Sequence, residues 1–566
     1  MLNNRLKSRV ALLTISVLMV IMFLSACSSN EQEQSAETNE NQNNASPATN
    51  NAVDVPKERG KISVSVYDRG SVPAEEGTMV DNRWTKWINE NGPTDVEFVS
   101  VPRWESQQKF NVMFASKSAP DLIMEYDTAY RNQLYNQKLI MPIDKLVEQS
   151  TNYKTMLEQY PALRKVGTKD DGQLYEFARV IGLQPNHGFW IRADWLEALK
   201  LDVPQTTEEL FEVAKAFKAN DPDQNGKDDT YGMALSYISG MIVDYMHGSV
   251  FTIFEKQPWY PNENGELTHD WDRLKTAFEF KKSLFDAGLV DRDFLTDSKG
   301  EKAKQDFING KLGIWGTTMG DFASYETLMN NNPNAKVKVI ALPESPNGQF
   351  SPVLYNPIQS VGVVNVSAEN PEAVMEYVDF MVNPTTKKFF EYGVEGEQHT
   401  VENSCPKTIA SDEVKQQMSY RADLMMLFST DFTNTCSDWW NYNESNATPM
   451  QLAFKELRYD SMDAYVNEAR PNPALTSSEH MPIIPEDLQI NQQNGFKAVE
   501  DAMTKSIISG SSYTVDKAIE DGKSAWSKAN GDKIDQWYAE WYTKNKDTAF
   551  LMDDMYEMIE DVFFRK

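Results

Sequence analysis

The run Lys61-Ile62-Ser63-Val64-Ser65-Val66-Tyr67 alternates apolar and polar side chains, the pattern of a strand with one buried face. Val96-Glu97-Phe98-Val99 reads as a second strand, and Trp84, Trp87 and Ile88 between them share one helical face. Pro120 to Met124 supplies a third core segment. Short strands separated by helices bury their apolar faces best as layers of helix on sheet, so an α/β architecture is expected. The pattern continues downstream. Segment 204–219 predicts a helix: Pro204 precedes it, Thr206 and Glu209 form a capping box, and Leu210, Val213, Ala214 and Phe217 make one stripe. Ser360 to Val364 reads as a buried strand. Asn370 and Pro371 then fit an N-cap and first turn, followed by a stripe of Ala373, Val374, Tyr377, Val378 and Met381. With 566 residues the chain has material for two or three domains. Beyond about residue 400 it is helical in tendency and rich in Trp and Tyr, and no internal repeat is visible.

The first residues address the compartment. Arg5, Lys7 and Arg9 precede an apolar run from Val10 to Leu24, too short and too early for a typical membrane span. Leu24-Ser25-Ala26-Cys27 resembles a bacterial lipobox, in which the cysteine takes an acyl (palmitate) anchor and becomes the new N-terminus. An ordinary signal peptide with a chance cysteine is the alternative. Residues 1–26 are therefore expected to be a lipoprotein signal peptide. Ser28 to Asn51 is nearly all Ser, Asn, Gln, Glu, Ala and Thr, so residues 27–56 are expected to be a disordered tether. Signal, acylated Cys27 and tether describe a body held on the extracellular face of a cell membrane.

A formal net charge of −29 repels phosphates, so no nucleic-acid partner is expected. The cysteines are Cys27, Cys405 and Cys436, too few for a disulfide scaffold or a cysteine zinc site. Cys405 and Cys436 could pair in an oxidising compartment. The histidines are scattered, without a metal-binding spacing.

The stretch DPDQNGKDDTYG, residues 221–232, carries oxygen donors at alternate positions: Asp221, Asp223 and Asn225. Gly226 follows where a calcium loop turns sharply, Lys227 would offer its carbonyl, and Asp229 stands at position 9. Gly232 replaces the bidentate Glu of position 12. The hard oxygen set favours Ca2+, in a structural role. A polar turn after a helix is the plainer alternative.

This loop follows Ile191-Arg192-Ala193-Asp194-Trp195-Leu196-Glu197-Ala198-Leu199 and Val203-Pro204-Gln205-Thr206-Thr207-Glu208-Glu209-Leu210. Ala119 to Leu122, Ile140 to Asp144, Phe307 to Gly313, Asn370 to Ala373 and Tyr392 to Gly396 occur in order around it. Together these segments resemble the large extracellular solute-binding lipoproteins of carbohydrate ABC importers. The resemblance covers roughly residues 60–400. It implies a type II periplasmic-binding-protein-like fold, with two α/β lobes, a hinge and an interlobe cleft that closes on ligand. By the family's chain path, the first lobe would be 57–181 plus 359–400 and the second 182–358 plus 401–566, the latter holding the calcium loop. Relatives often carry an acidic residue at loop position 10, where this chain has Thr230.

The function implied is capture of an oligosaccharide by a monomer and its delivery to membrane permease subunits, without catalysis. Sugars offer apolar C–H faces and polar edges, so aromatic platforms beside planar hydrogen-bonding groups are sought. The candidates at strand ends and crossovers are Tyr67, Asp68, Trp104, Tyr126, Asp127, Trp190, Arg192, Trp315 and Tyr355, with Trp439 and Trp440 in the C-terminal portion. Ordinary packing is the alternative at each. Arg192 could hold a uronate carboxylate or form a structural ion pair. Two other functions stay open. One is a surface-anchored glycoside hydrolase using paired carboxylates, though 84 acidic residues make such pairs uninformative. The other is a sugar-sensing accessory lipoprotein without a permease.

Overall fold

The computed structural model describes residues 59–402, 404–430 and 447–558. The strands that build its two main sheets are, in chain order, β1 (Gly60–Asp68), β2 (Thr94–Pro102), β3 (Leu122–Met124), β4 (Glu176–Val180), β5 (His187–Arg192) and β6 (Tyr231–Met233). After a small hairpin of β7 (Trp259–Pro261) and β8 (Leu267–His269) come β9 (Leu312–Thr318), β10 (Val337–Ile340) and β11 (Ile358–Val364). One sheet has the order β2-β1-β3-β11-β4, the other β10-β5-β9-β6. In the first, β1 runs parallel to β2 and β3, and the returning β11 lies antiparallel between β3 and β4.

The alternation in β1 predicts one buried face; Ile62, Val64 and Val66 are buried on it, and on the other face Ser65 and Tyr67 are buried as well while Lys61 stays exposed. Ser65 is tolerated there because its hydroxyl accepts the Met124 N–H at 2.7 Å. The capped helix runs Thr207–Ala219, and the Thr206 side chain accepts the Glu209 N–H. Glu209 reaches back to the N–H of Gln205, one residue short of a closed capping box. Asn370 precedes the helix Pro371–Met381 without a side-chain cap bond.

The chain crosses between the sheets as paired strands. The Ile181 N–H bonds to the Pro357 carbonyl at 2.8 Å, and the Tyr355 N–H to that of Gln184 at 2.9 Å. Beside them the Thr430 N–H bonds to the Val180 carbonyl at 2.8 Å. The expected first lobe ends at residue 400. That cut falls inside an antiparallel hairpin of His399–Glu402 and Cys405–Thr408. The helix Asp412–Ser419 and the turn Arg421–Leu424 then pack against the first lobe. Trp84 Nε1 donates to the Gln417 carbonyl at 3.0 Å, Tyr420 Oη to Glu76 at 2.9 Å, and Arg69 grips Asp423 with two bonds of 2.7 and 2.9 Å. Residues 417–423 thus bond to side chains from the β1–β2 region. Cys405 is disulfide-bonded, while Cys27 and Cys436 lie outside the described residues.

The C-terminal helices join the second lobe. Helix Pro449–Tyr465 covers its sheet, with Tyr465 seated so close to Gly188 that a Cβ there would lie 2.2 Å from the ring. The hairpin of β7 and β8 is locked to helices further on by Trp259, Phe496, Trp526 and Tyr538, which pack ring against ring. Much of the aromatic content that suggests sugar binding is core.

Candidate functional site

Parallel strands deliver their carboxyl ends to one edge of a sheet, and ligands of open α/β sheets bind outside that edge. Here the edge carries Tyr67 and Asp68 at the end of β1, Arg103 and Trp104 after β2, and Tyr126 and Asp127 after β3. Facing it across the crossovers is segment 478–483 from beyond helix Pro449–Tyr465. Between them lies a cavity of about 880 Å³ whose lining includes Arg103, Tyr126, Asp127, Arg179, Gln184, Tyr355, Gln359, Ser478 and Glu479. A side cavity of about 390 Å³ adjoins it and shares Tyr355, Ser478 and Glu479, adding His187, Tyr245, Phe254 and Glu255.

The platform is aromatic and cationic. The Tyr67 and Tyr126 rings lie 5.6 Å apart. Arg103 stands over both, its guanidinium carbon 4.6 Å from the first ring centre and 5.5 Å from the second, and 5.2 Å from Trp104. Tyr67 itself is buried. Its hydroxyl donates to Glu125 Oε1 at 2.5 Å and accepts the Tyr126 N–H at 3.0 Å. Burial and the Glu125 charge push this phenol far above its usual value, so it stays a neutral donor. Arg179 on β4 lies in register with Gln359 on β11 and donates to its side-chain oxygen at 2.9 and 3.3 Å. It also reaches the Met425 carbonyl at 3.2 Å. In the side cavity, burial raises the Glu255 carboxyl to about 7 and lowers the His187 imidazole to about 4. Both groups therefore tend toward neutrality.

The sequence candidates divide accordingly. Tyr126, Asp127 and Tyr355 line the cavity. Trp104 is 80% exposed beside it, and Tyr67 supports the platform from below the surface. Asp68 is occupied locally, accepting from the Gly70 N–H and the Ser100 hydroxyl. Asp127 also caps the helix Thr128–Asn136 through the Tyr130 N–H.

Trp190, Trp315 and Arg192 are not in the cleft. Trp190 is 1% exposed and Trp315 5%. They face each other in register on β5 and β9, and Trp190 packs on Phe307, Tyr325 and Phe454. Their sheet face is covered by helices Glu301–Ile308, Phe322–Asn331 and Pro449–Tyr465, which supply Phe307, Tyr325 and Phe454. Arg192 shares that face by alternation. It is fully buried, paired with both oxygens of Asp194 at 2.9 and 2.6 Å and stacked over Trp195. Trp439 and Trp440 lie outside the described residues.

Sequence reading missed Arg103, Arg179, Gln359 and segment 478–483. Arg103 had a usable signal, since it precedes Trp104 at a strand end already under suspicion. Arg179 and Gln359 are 180 residues apart and meet only through strand pairing.

Loop 221–232 adopts a tight path, with Asp221, Gln224 and Gly226 in the left-handed region at φ 45, 56 and 74°. Asp221 accepts the N–H groups of Asn225 and Gly226. Asn225 Nδ2 sits between Asp223 and Asp229 at 2.7 and 3.1 Å, where a positive charge would serve both carboxylates. Asp223 Oδ1 is buried and has no hydrogen-bond partner. Among the described residues no group of three or more His, Cys, Asp and Glu gathers as a metal centre. The orphaned oxygen and the crowded hard donors nonetheless fit a calcium ion. Thr230 turns inward to the Phe217 carbonyl at 2.9 Å. Gly232 enters β6 against helix Thr207–Ala219, where a Cβ would lie 2.3 Å from the Ala214 carbonyl, so no Glu fits at position 12.

The model of a family described as bacterial extracellular solute-binding protein matches residues 79–388, more than half of the chain. The chain belongs to that family. The polygalacturonan/rhamnogalacturonan-binding protein YtcQ of Bacillus subtilis is 24% identical to this solute-binding protein over 478 residues, covering 82% of this chain and 89% of YtcQ. Lipoprotein LipO of the same organism is 27% identical over 323 residues, 55% of this chain and 62% of LipO. The structure of the S. pneumoniae substrate-binding protein FusA, as an EF-hand mutant in complex with fructo-nystose, superimposes with a TM-score of 0.56 at 18% identity. That superposition spans 86% of this solute-binding protein and 100% of FusA, and supports the two-lobe fold.

Proposed function

We propose that this solute-binding protein is the oligosaccharide receptor of an ABC importer. It takes its ligand between the lobes, hands it to permease subunits and catalyses nothing. The observation that carries the reading is the cleft at the strand ends. Tyr126, Tyr355 and Trp104 supply apolar faces there, and Arg179, Gln184 and Gln359 supply planar polar edges. Its main cavity lies near the top of the roughly 300–1,000 Å³ range of small-ligand pockets, and the side cavity extends it. YtcQ, named for polygalacturonan and rhamnogalacturonan, and FusA, named for fructooligosaccharide, support the same reading.

The protein works as a monomer on the extracellular face of the membrane. Its signal peptide is residues 1–26, its anchor an acyl chain on Cys27, and its tether residues 27–56. The lipobox-like Leu24 to Cys27 and the likeness to a protein named as a lipoprotein support this. No helix among the described residues is long and apolar enough to cross a membrane.

Calorimetric titration with a panel of neutral and acidic oligosaccharides tests the receptor reading. One sugar class is expected to bind, and chromatography afterwards to find no shorter product. Tyr126→Ala should weaken that binding about 10–30-fold, equivalent to about 1–2 kcal/mol, without moving the melting temperature. Shortened sugars would make the protein a hydrolase instead.

Loop 221–232 holds a structural calcium ion through side-chain oxygens of Asp221, Asp223, Asn225 and Asp229 and the Lys227 carbonyl. The ion would fasten the end of helix Thr207–Ala219 to β6. The unpartnered Asp223 Oδ1 supports this, as does the EF-hand altered in the FusA mutant structure. A chelator should lower thermal stability, and Ca2+ at a hundredfold excess over its dissociation constant should restore about 2.7 kcal/mol. Equal melting with chelator and with Ca2+ would remove the ion from the account.

A further inference from the structure

We propose that Arg103 reads a carboxylate, and that the sugar taken by the cleft carries uronic acid units. The inference rests on the oligosaccharide reading above and narrows it to an acidic class.

Acidic residues outnumber basic ones 84 to 55 in this chain, so a buried or half-buried arginine readily finds an acid. The structure shows this repeatedly. Arg69 holds Asp423, Arg83 holds Glu76, Arg131 holds Glu176 and Arg192 holds Asp194. Arg103 is an exception inside the cavity wall. Its Nε is buried without a hydrogen-bond partner, and its guanidinium is held over the Tyr67, Tyr126 and Trp104 rings. Among the described residues no carboxylate stands at ion-pair distance from it. Arg179, lining the same cavity, spends its donors on neutral oxygens of Gln359, Met425 and Tyr126. Two guanidinium groups thus face one cavity with no acid among the described residues paired to either.

The acids nearby have other work. Asp127 accepts the Tyr130 N–H at 2.7 Å as a helix cap. Glu479 accepts from Asn356 Nδ2 at 2.7 Å. Glu125, fully buried and outside the lining, accepts from the Tyr67 hydroxyl and the Asp127 N–H with Oε1, and its unpartnered Oε2 forms no ion pair with Arg103. What is missing beside Arg103 is a planar anion, and a guanidinium fork matches a carboxylate in shape as well as charge. The ring stack fixes the plane of the fork, so little freedom is lost when the anion arrives. It also leaves aromatic surface next to the charge for the C–H face of the same sugar ring. Neutral sugars would leave the guanidinium buried and unpaired on lobe closure, which disfavours them.

The test is calorimetric titration of the purified protein with tetragalacturonate and tetramannuronate, with the methyl ester of each, and with cellotetraose. The acid of one pair is expected to bind about 10–100-fold more tightly than its ester. Arg103→Gln should remove that preference with the melting temperature unchanged, and Arg103→Lys should restore only part of it. An ester that binds as tightly as its acid, or an Arg103→Gln protein that keeps the preference, would overturn the inference and leave the sugar reading standing. The acid–ester comparison on the wild-type protein decides the point even if the variants fail to fold. Absence of binding to every sugar would instead remove the oligosaccharide reading, and this inference with it.

Discussion

Trp190→Ala is expected to destabilise the second lobe by about 3–5 kcal/mol while leaving ligand affinity within about twofold. Trp190 looks like a sugar platform in sequence, since it lies just after the first crossover. In the structure its ring is enclosed by Trp315, Phe307, Tyr325 and Phe454, drawn from β9 and three helices. Truncation would open a cavity where four elements meet, and their backbones cannot all move in to fill it. Urea unfolding and sugar titration on the same sample check both halves. A large loss of affinity with unchanged stability would return Trp190 to the cleft. The contrast with Tyr126→Ala, which should do the reverse, makes the pair of variants a direct test of where the site lies.

Glu176→Gln is expected to cost about 3–5 kcal/mol near neutral pH. Glu176, at the start of β4, is 1% exposed. It accepts from Arg131 Nε at 3.0 Å and pairs with Lys169. Arg131 is equally buried, and its other donors hold the Glu125 carbonyl at 2.7 Å and Thr128 Oγ1 at 3.1 Å. Removing the carboxylate would strand a buried guanidinium beneath the turn that carries Tyr126 and Asp127. Some ligand affinity should go with the stability.

The pH dependence follows from the same geometry. Burial alone would push the Glu176 carboxyl up, but Arg131 and Lys169 outweigh it and hold it at about 2, against 4.5 for the free side chain. A carboxyl whose pKa is lower in the folded state contributes its full stability above the unfolded value. That contribution is lost as pH falls from 4.5 through about 2. The gap corresponds to about 3 kcal/mol. The wild-type protein should lose that much over the window and the variant should not. Their urea midpoints should therefore converge between about pH 6 and about pH 3. Equal midpoints at about pH 6 would mean that the cluster contributes nothing.

Local features were legible because their causes are local. The helix start at Thr206 depends on one side chain and the N–H three residues on. The strand at residues 60–68 is written in its alternation, and the oxygen donors of loop 221–232 lie within one turn of chain. Even so, periodicity tells which side chains share a face and not what lies across it. Trp190 and Arg192 are on one face of β5, and only the packing of helices onto that face made them core. Ser65 looked like a solvent-side residue, and only the fold buried it and brought the Met124 N–H to its hydroxyl.

The N-terminal signal-like run, the polar composition after it, the acidic balance and the succession of strands and helices are properties of the sequence by itself, because each depends on composition or on near neighbours in the chain. The cleft is not such a property. Arg179 meets Gln359 across 180 residues, Arg103 reaches Tyr126 from another strand end, and segment 478–483 closes the far side. An arginine in a sequence is the same residue whether an acid awaits it or not. Only the folded chain decided that Arg192 would be paired within the protein and that Arg103 would face the cleft without a carboxylate partner among the described residues.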